Sequence, residues 1–302
     1  MSDVLCFGSI LPDRVLRLPH FPQPGEGVRA LGENVYLGGE PCNVGGHLAA
    51  WQVPVAIAGN NVGTDALGAF VLARLASRVQ TRVIVHADPQ VQTPTCYIWT
   101  TPDGERTIIP SWPTVTSWTL PDVPTLRAAQ LVSASIYGPG MDEMLVLARQ
   151  YGLPLAVADI AGPADPRLPG AAIVTTSRTI LRQRYAVQDV LAWMQAVHAA
   201  TGTLVVVSDG AQPVCMLTAT GDMLIATPPP LTPVDTTGAG DALKAGLILG
   251  WLRDWSPQQA LGWAVAAASL QCLRHGPCEQ PATYAEIEEL LPRVAVTPVN
   301  PA

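Results

Sequence analysis

The sequence predicts an α/β fold in which helices cover both faces of a mostly parallel sheet, with a small separate β-sheet at one end. Three observations support this fold class. Short β-branched runs alternate with helical stretches along the chain, as is typical of parallel sheets with crossover helices. An apolar content of 48% over 302 residues is ample for the core of one large domain. Two segments that break the alternation contain strand-like pieces of their own.

Each candidate strand is a short apolar run between turn residues. The candidate strands are Val4–Ile10, Pro54–Ala58, Leu131–Ala134, Leu155–Asp159, Ala172–Thr176 and Leu204–Ser208. Each candidate helix repeats apolar residues every three or four positions. The candidate helices are Cys42–Trp51, Asp65–Ser77, Asp142–Tyr151, Val187–Ala200, Ala239–Leu252 and Pro257–Leu273. Ligands of such sheets bind at the carboxyl ends of the strands.

The two segments that break the alternation are predicted to form a small sheet. The segment 14–37 is punctuated by Pro and Gly and carries the strand-like pieces Arg14–Leu18 and Gly27–Tyr36. The segment 93–110 reads as a hairpin whose turn is Pro102–Gly104. Neither segment has enough apolar surface to fold alone. We therefore expect one domain over residues 1–302, with these segments inserted as a small sheet over one end.

The composition excludes several classes of partner. The net charge is −7 and no cluster of Lys or Arg occurs, which argues against nucleic acid and anionic membranes. The start of the chain shows no signal-peptide pattern, and the longest uncharged apolar stretches are too short to span a bilayer. The six cysteines show no C-x-x-C spacing, so we expect reduced thiols in a cytoplasmic protein. A local disulfide between Cys272 and Cys278 is the less favoured alternative.

Residues 235–241 read Asp-Thr-Thr-Gly-Ala-Gly-Asp and are the most informative part of the chain. Gly238, Ala239 and Gly240 sit at a predicted helix start, where bare N–H groups and the helix dipole form an anion hole. Asp241 brings a carboxylate into the same turn. A carboxylate would be repelled by a bound phosphate. Its presence in this turn is explained if it acts as the general base on the hydroxyl that attacks the phosphate. The alternative is an Asp-capped helix after a Gly turn.

The whole run from Asp235 to Asp241 resembles the signature of the ribokinase-like (PfkB) carbohydrate kinases. The resemblance extends over essentially the whole chain, up to a predicted helix at Tyr284–Leu291. It implies a ribokinase-like fold, ATP and Mg²⁺ as cofactors, and a lid over the sugar site that often also forms a homodimer.

The resemblance assigns substrate contacts near the N-terminus. Gly38, Gly39 and Asn43 look like the family's N-terminal signature, in which glycines before a helix let a ligand approach the backbone. Asp13 matches the position of a sugar-binding Asp, where a carboxylate accepts hydrogen bonds from vicinal hydroxyls. The alternatives are a Gly turn with Asn near a helix cap, and a turn aspartate after Pro12.

The resemblance also assigns nucleotide and metal contacts. Ser208 and Gly210 stand where the family has a Thr-x-Gly that meets the nucleotide phosphates. The family's Asn-x-x-Glu, whose Glu helps to hold Mg²⁺ through water, is replaced here by Ser177 and Ile180. The nearest candidates to support the hydrated ion are Asp159 and Asp209.

A monovalent cation site is implied as well. Asp235 and Thr237 resemble residues that, together with carbonyls of a later loop, hold such a cation in many relatives. The matching loop is Cys272–Cys278, and its hard oxygen ligands would suit K⁺.

The sequence thus predicts an ATP-dependent kinase that phosphorylates a primary hydroxyl of a sugar or sugar-like compound. Asp241 would be the base, with the low pKa of an Asp at a helix N-terminus. Kinases of fructose, ribose and 2-keto-3-deoxygluconate all fit. The alternatives are a nucleoside kinase, whose base would lie against Trp99, Trp112 or Tyr36, and a non-catalytic ligand-binding homologue.

Overall fold

The computed structural model describes residues 4–102, 106–134 and 140–299. Its β-strands belong to a large and a small sheet. The strands are β1 Val4–Gly8, β2 Leu11–Arg17, β3 Gly32–Gly38, β4 Val55–Asn60, β5 Thr81–Ile84, β6 Thr95–Thr100, β7 Arg106–Ser111, β8 Trp118–Thr119, β9 Leu131–Ala134, β10 Leu155–Ala158, β11 Ala171–Ser177, β12 Leu204–Asp209, β13 Gln212–Leu217, β14 Met223–Thr227 and β15 Ala295–Val299.

The helices lie between these strands and largely follow the predicted alternation. They are α1 Glu40–Ala50, α2 Ala66–Ala76, α3 Val123–Ala128, α4 Gly140–Gln150, α5 Arg178–Tyr185, α6 Val190–Thr201, α7 Ala239–Leu252, α8 Pro257–Gln271 and α9 Tyr284–Leu290, with a short 3₁₀ turn at Leu291–Arg293. All predicted helices are present with bounds shifted by a few residues at most. The short helices α3 and α5 were not predicted.

The large sheet has the strand order β15-β14-β13-β12-β11-β10-β9-β1-β4-β5. From β5 to β12 all neighbours are parallel, whereas β13, β14 and β15 extend the sheet antiparallel. The short β8 pairs antiparallel with β4. The predicted mostly parallel sheet is confirmed, and its antiparallel extension is an addition.

Helices cover both faces of this sheet, as predicted. Along β1, Val4 and Cys6 enter one hydrophobic core, while Leu5 and Phe7 enter the other. The first core contains residues of α1, α2, α7, α8 and α9, and the second those of α3, α4, α5 and α6. Because successive side chains of a strand point to opposite faces, one buried strand serves both cores.

A separate four-stranded sheet is built from the two segments that break the alternation, in the order β3-β2-β6-β7. The strand pieces predicted at Arg14–Leu18 and Gly27–Tyr36 correspond to β2 and β3, each displaced by several residues. The predicted hairpin is present, since β6 and β7 pair antiparallel with Tyr97 opposite Ile109. The predicted turn residues Asp103 and Gly104 lie outside the described residues.

The chain enters the small sheet earlier than expected. The predicted strand Val4–Ile10 ends at Gly8, and β2 starts at Leu11. Asn60 holds this junction, because its side chain accepts from the Ile10 N–H at 2.7 Å and donates to the Ile10 carbonyl at 2.8 Å. The described part of the chain thus passes directly from the large sheet into the small one beside the carboxyl ends of the strands.

Two further expectations concern cysteines and membranes. All six cysteines are free thiols, and Cys272 and Cys278 are not joined by a disulfide. In the described ranges, no helix is both long and apolar enough to cross a lipid bilayer.

Candidate functional site

The start of α7 has the features of an anion hole. Gly238 is the N-cap residue with φ +80°, and no side chain caps the helix. Its conformation and its contact with the backbone exclude a side chain, because a Cβ there would lie 2.0 Å from the Pro277 carbonyl oxygen. Gly240 is exposed, and a Cβ at its position would meet open space. Of the first-turn N–H groups, that of Ala239 donates to the Thr236 carbonyl at 3.3 Å, while the backbone at Gly240 borders an accessible space.

Asp241 lies in this first turn and is partly buried. Its Oδ2 accepts a hydrogen bond of 2.8 Å from Asn43 Nδ2 on α1. Desolvation, followed by the charge of Glu40, raises the pKa of Asp241 to about 7, although Asn43 and Lys244 act in the opposite direction. The low pKa expected from the helix N-terminus alone is thus wrong, because burial and a neighbouring carboxylate outweigh the dipole.

A buried ion pair lies one turn later on α7 and one turn earlier on α1. Lys244 is 1% exposed and donates to Glu40 and, at 3.2 Å, to the Ala134 carbonyl at the end of β9. Sequence reasoning missed both residues. A signal was present, since Lys244 is the chain's only lysine and lies three positions after Asp241, which places both on one face of the helix.

Asp13 lies within β2, so the alternative of a turn aspartate after Pro12 is wrong. It also lies inside the second strand, rather than in a loop after the first. It is 6% exposed, and burial raises its pKa to about 7. Its carboxylate packs on Gly38, where a Cβ would lie 2.3 Å from it. Asp13 and Asp241 are close enough for the Asp13 charge to contribute to the raised pKa of Asp241.

The glycines before α1 serve contacts within the protein. Gly38 makes room for Asp13, and Gly39, with φ +92°, makes room for the Ser9 carbonyl, 2.0 Å from where a Cβ would lie. Both glycines thus have a role in packing, and a substrate contact by them stays a prediction. Asn43 keeps the predicted capacity for a ligand, because it is 5% exposed and its Oδ1 has no hydrogen-bond partner.

The predicted nucleotide contacts lie at the end of β12, among the carboxyl ends of the parallel strands. Ser208 is partly buried and its hydroxyl makes a long bond of 3.4 Å to the Thr176 carbonyl. Gly210 is exposed with φ +57° and open space around it. Asp209, between them, pairs with Arg178 at 2.8 Å. The structure places these residues at the predicted edge, but provides no contact that joins them to Asp241.

The described residues do not form a protein cage for a divalent metal, since no three acidic, histidine or cysteine side chains converge among them. Of the two expected carboxylates, Asp209 is taken up by Arg178. Asp159 directly follows β10, has φ +49° and accepts from the Thr176 hydroxyl at 2.7 Å. Burial raises the pKa of Asp159 to about 6, with a contribution from the charge of Glu40. A hydrated Mg²⁺ bound mainly by phosphate oxygens fits this arrangement, with Asp159 as its support.

The residues expected to hold a monovalent cation are occupied by hydrogen bonds. Asp235 accepts from the N–H groups of Thr237 and Gly276, both at 2.9 Å. The carbonyls of Thr237 and Gly276 accept from Gln271 Nε2 at 3.1 Å and 2.7 Å. The donor set as it stands does not fit a cation.

Arg106 links the small sheet to this end of the molecule. It starts β7, is exposed, and donates from Nη1 to the Thr237 hydroxyl at 3.3 Å. Its charge also lowers the pKa of Asp13 against the effect of burial. No motif indicated this residue, since the contact joins positions 131 residues apart.

Comparison with known proteins identifies the family. Residues 1–283 match the profile of the pfkB family carbohydrate kinase. Among solved structures, ribokinase from Thermotoga maritima superposes with a TM-score of 0.78 at 18% identity, covering 97% of this chain and 100% of that one. Ribokinase from Arabidopsis thaliana complexed with ribose and ATP superposes with a TM-score of 0.75 at 20% identity, covering 96% and 99% of the two chains. The ribokinase-like fold implied by the motifs is confirmed.

A curated relative shares a shorter stretch. The 5-dehydro-2-deoxygluconokinase of Geobacillus kaustophilus is 34% identical over 88 residues. This match spans 29% of the present chain and 26% of the relative.

Proposed function

The chain belongs to the pfkB family of carbohydrate kinases, and from this premise we propose that it transfers the γ-phosphoryl group of ATP to a primary hydroxyl of a sugar or sugar acid. One observation carries the proposal. The carboxylate of Asp241 lies in the uncapped first turn of α7, fixed by Asn43, next to the open space at Gly240. A base and an anion hole within one helical turn are what attack of a hydroxyl on a phosphoryl group requires.

In this proposal Asp241 accepts the proton of the attacking hydroxyl. A base acts best when its pKa lies near the working pH, and a pKa of about 7 brings this carboxylate into that range. The N–H groups of Gly238, Gly240 and Asp241 stabilise negative charge on the transferring group through the helix N-terminus, whereas the Ala239 N–H donates to the Thr236 carbonyl at 3.3 Å.

Two buried polar side chains would hold the sugar. Asp13 supplies a carboxylate that accepts hydrogen bonds from hydroxyls, each stronger than a neutral hydrogen bond. Asn43 supplies its unpartnered Oδ1, while its Nδ2 remains on Asp241. A buried acceptor without a partner carries an energetic cost that a ligand hydroxyl would remove.

A sugar acid is the substrate class that we favour. Arg106 places an exposed cation beside Thr237 and within electrostatic reach of Asp13. A guanidinium at that position suits a substrate carboxylate, which it binds with two parallel hydrogen bonds. The curated relative is named for a substrate of this chemical class.

For the nucleotide we propose the edge formed by Ser208 and Gly210, with Mg²⁺ carried by the phosphates and supported by Asp159. When bound, the ion offsets charge on the β- and γ-phosphates. Thr176 keeps the Asp159 side chain at the carboxyl end of β10.

We also propose that residues 1–302 act as one domain whose small sheet is a lid. Arg106 on β7 already reaches Thr237 beneath it. On one face of the small sheet Tyr97 of β6 lies opposite Ile109 of β7, and these side chains are 38% and 41% exposed, an apolar surface through which two copies would associate.

The nucleoside-kinase alternative has less support. Of the aromatic residues considered for a base slot, Tyr36 lies against Gly276 and Trp112 stacks on Trp118 at 6.3 Å between ring centroids. Both rings are thus engaged in packing. The non-catalytic alternative leaves the Asn43–Asp241 bond and the uncapped helix start without a purpose.

The experiment is ATP consumption with a panel of fructose, ribose, 2-keto-3-deoxygluconate, 5-dehydro-2-deoxygluconate and adenosine, with Mg²⁺ present. We expect turnover with at least one sugar or sugar acid and none with adenosine. Turnover with adenosine alone would favour the nucleoside kinase. Ligand-induced thermal stabilisation without any turnover would favour the non-catalytic homologue.

A further inference from the structure

The segment that leads into α7 and the loop that follows α8 are joined by backbone contacts. The Cys272 carbonyl accepts from the N–H groups of Val234 and Asp235, at 2.8 Å and 3.2 Å. The Gly276 N–H donates to Asp235 in return. The geometry of the anion hole therefore depends on how firmly segment 234–237 and segment 272–276 hold together.

The side chain of Gln271 completes this connection. Gln271 is the last residue of α8 and is 1% exposed. Its Nε2 donates to the Gly276 carbonyl at 2.7 Å and to the Thr237 carbonyl at 3.1 Å, so one amide group bridges the two segments. Two carbonyl acceptors require the NH₂ end of the amide to face them, which fixes the orientation of the group.

The surroundings leave little for a cation to bind. Both oxygens of Asp235 accept N–H donors, so its charge is compensated by backbone groups. The two carbonyls already face the partial positive charge of the Gln271 amide. A cation between these carbonyls would have to displace Gln271 Nε2 from its buried position. Each carbonyl would then lose an N–H donor and gain a contact with the cation.

We propose that the Gln271 side-chain amide replaces a bound monovalent cation as the link between the Thr237 and Gly276 carbonyls. The anion hole of this chain is then held by an intramolecular contact and is independent of K⁺. The burial of Gln271 Oε1 without a hydrogen-bond partner is the energetic cost of this arrangement.

The first test measures the thermal unfolding of the full chain in KCl, NaCl and tetramethylammonium chloride at equal ionic strength. We expect the same Tm in all three salts for the wild type. A Tm raised specifically by K⁺ would overturn the proposal, as would saturable binding of Tl⁺ to the wild-type protein. Neither measurement needs a variant or a substrate, so the outcome does not depend on whether the kinase proposal holds.

The second test removes the amide. Gln271→Met keeps the length of the side chain but has no donor, and Gln271→Ala opens the space. Gln258→Met, at an exposed position of the same helix, is the matched control. We expect Gln271→Met to lower Tm by roughly 1–4 °C and to increase hydrogen exchange at residues 272–276, and Gln271→Ala to acquire a K⁺-dependent rise in Tm. Exchange and Tm equal to those of the control would overturn the proposal.

Discussion

At the scale of single residues, Asp241 meets two demands that normally conflict. A carboxylate at a helix N-terminus is stabilised as the anion, yet a base must be willing to take a proton. In this protein burial and the charge of Glu40 raise the pKa of Asp241, while Asn43 donates to the anion and keeps it in place. Orientation and basicity thus come from different neighbours.

Replacing Asp241 by Asn tests the base directly. The amide keeps the shape but cannot accept the proton, so we expect kcat to fall by about 10²–10⁴ with ATP binding nearly unchanged. Asp142→Asn, at the equivalent exposed third position of α4, is the matched control. Steady-state kinetics and ATP titration of both variants measure this, and wild-type turnover by Asp241→Asn would contradict the assignment.

The pKa of Asp241 also sets a pH dependence. Since the base must be ionised, kcat/KM for the sugar should fall as the pH drops below about 7. Glu40→Gln removes a negative charge that favours protonation of Asp241. The acid limb of the kcat/KM profile should therefore move to lower pH in this variant. Glu143→Gln, exposed in the first turn of α4, should leave the limb where it is. A limb that moves to higher pH in Glu40→Gln would refute the electrostatic argument.

At the scale of elements, α1 and α7 are joined by two polar bridges within an otherwise apolar contact. One bridge is the Asn43–Asp241 hydrogen bond and the other is the Glu40–Lys244 ion pair. On each helix the two bridging residues are one turn apart. Lys244 also bonds the end of β9. A charged pair that is buried this deeply favours one register of the two helices, because any slip would leave a charge without a partner.

The two glycines of the α7 start should respond differently to Ala. Gly238→Ala introduces strain at φ +80° and a collision with the Pro277 carbonyl, so we expect a lower Tm. Gly240→Ala meets open space and improves helix propensity by roughly 0.5–1 kcal/mol, but its methyl group intrudes where the phosphoryl group would lie. We expect unchanged or higher Tm with reduced kcat. Reduced Tm in Gly240→Ala would show that the glycine serves the fold.

The elements also show how far the sequence could predict the structure. Ala239–Leu252 was predicted with its observed bounds because an apolar repeat follows a Gly turn. Strands β13, β14 and β15 were missed, since their placement depends on pairing at the sheet edge rather than on a strong local pattern. Helix α5 was missed because its residues are mostly polar.

The residues of the site were likewise predictable where a local motif indicates them and not where a contact depends on the tertiary fold. Asp241 and Asn43 were each predicted from a local motif, and the hydrogen bond between them was not predicted. The partners Glu40 and Lys244 are 204 positions apart. Gln271 is predictable as a helix end, but its bond to Thr237, 34 positions away, follows only from the tertiary fold.

At the scale of the whole molecule, the proposed site contains carboxyl groups whose ionised form is destabilised by burial in the fold. Burial raises the pKa of Asp13, Asp159 and Asp241. A carboxyl with a raised pKa binds more protons in the folded than in the unfolded protein between the two pKa values. Its contribution to stability is therefore lost as the pH rises through that window.

Asp13 offers the clearest test of this trade between stability and function. Its pKa moves from 3.8 to about 7, so ionisation of Asp13 opposes folding at neutral pH by up to roughly 4 kcal/mol. Asp13→Asn removes that ionisation. We expect the variant and the wild type to have similar Tm below pH 4, and the variant to be the more stable above pH 7.

The same substitution should weaken the proposed sugar contact above about pH 7, where Asp13 is ionised. Loss of a charged acceptor should raise the sugar KM roughly tenfold or more, while the ATP KM stays nearly unchanged. Asp142→Asn controls for the loss of a surface charge. Calorimetry across pH and steady-state kinetics decide the matter together. A variant that is less stable than the wild type at pH 8 would mean that Asp13 serves the fold, whereas equal rises in both KM values would place it outside the sugar site.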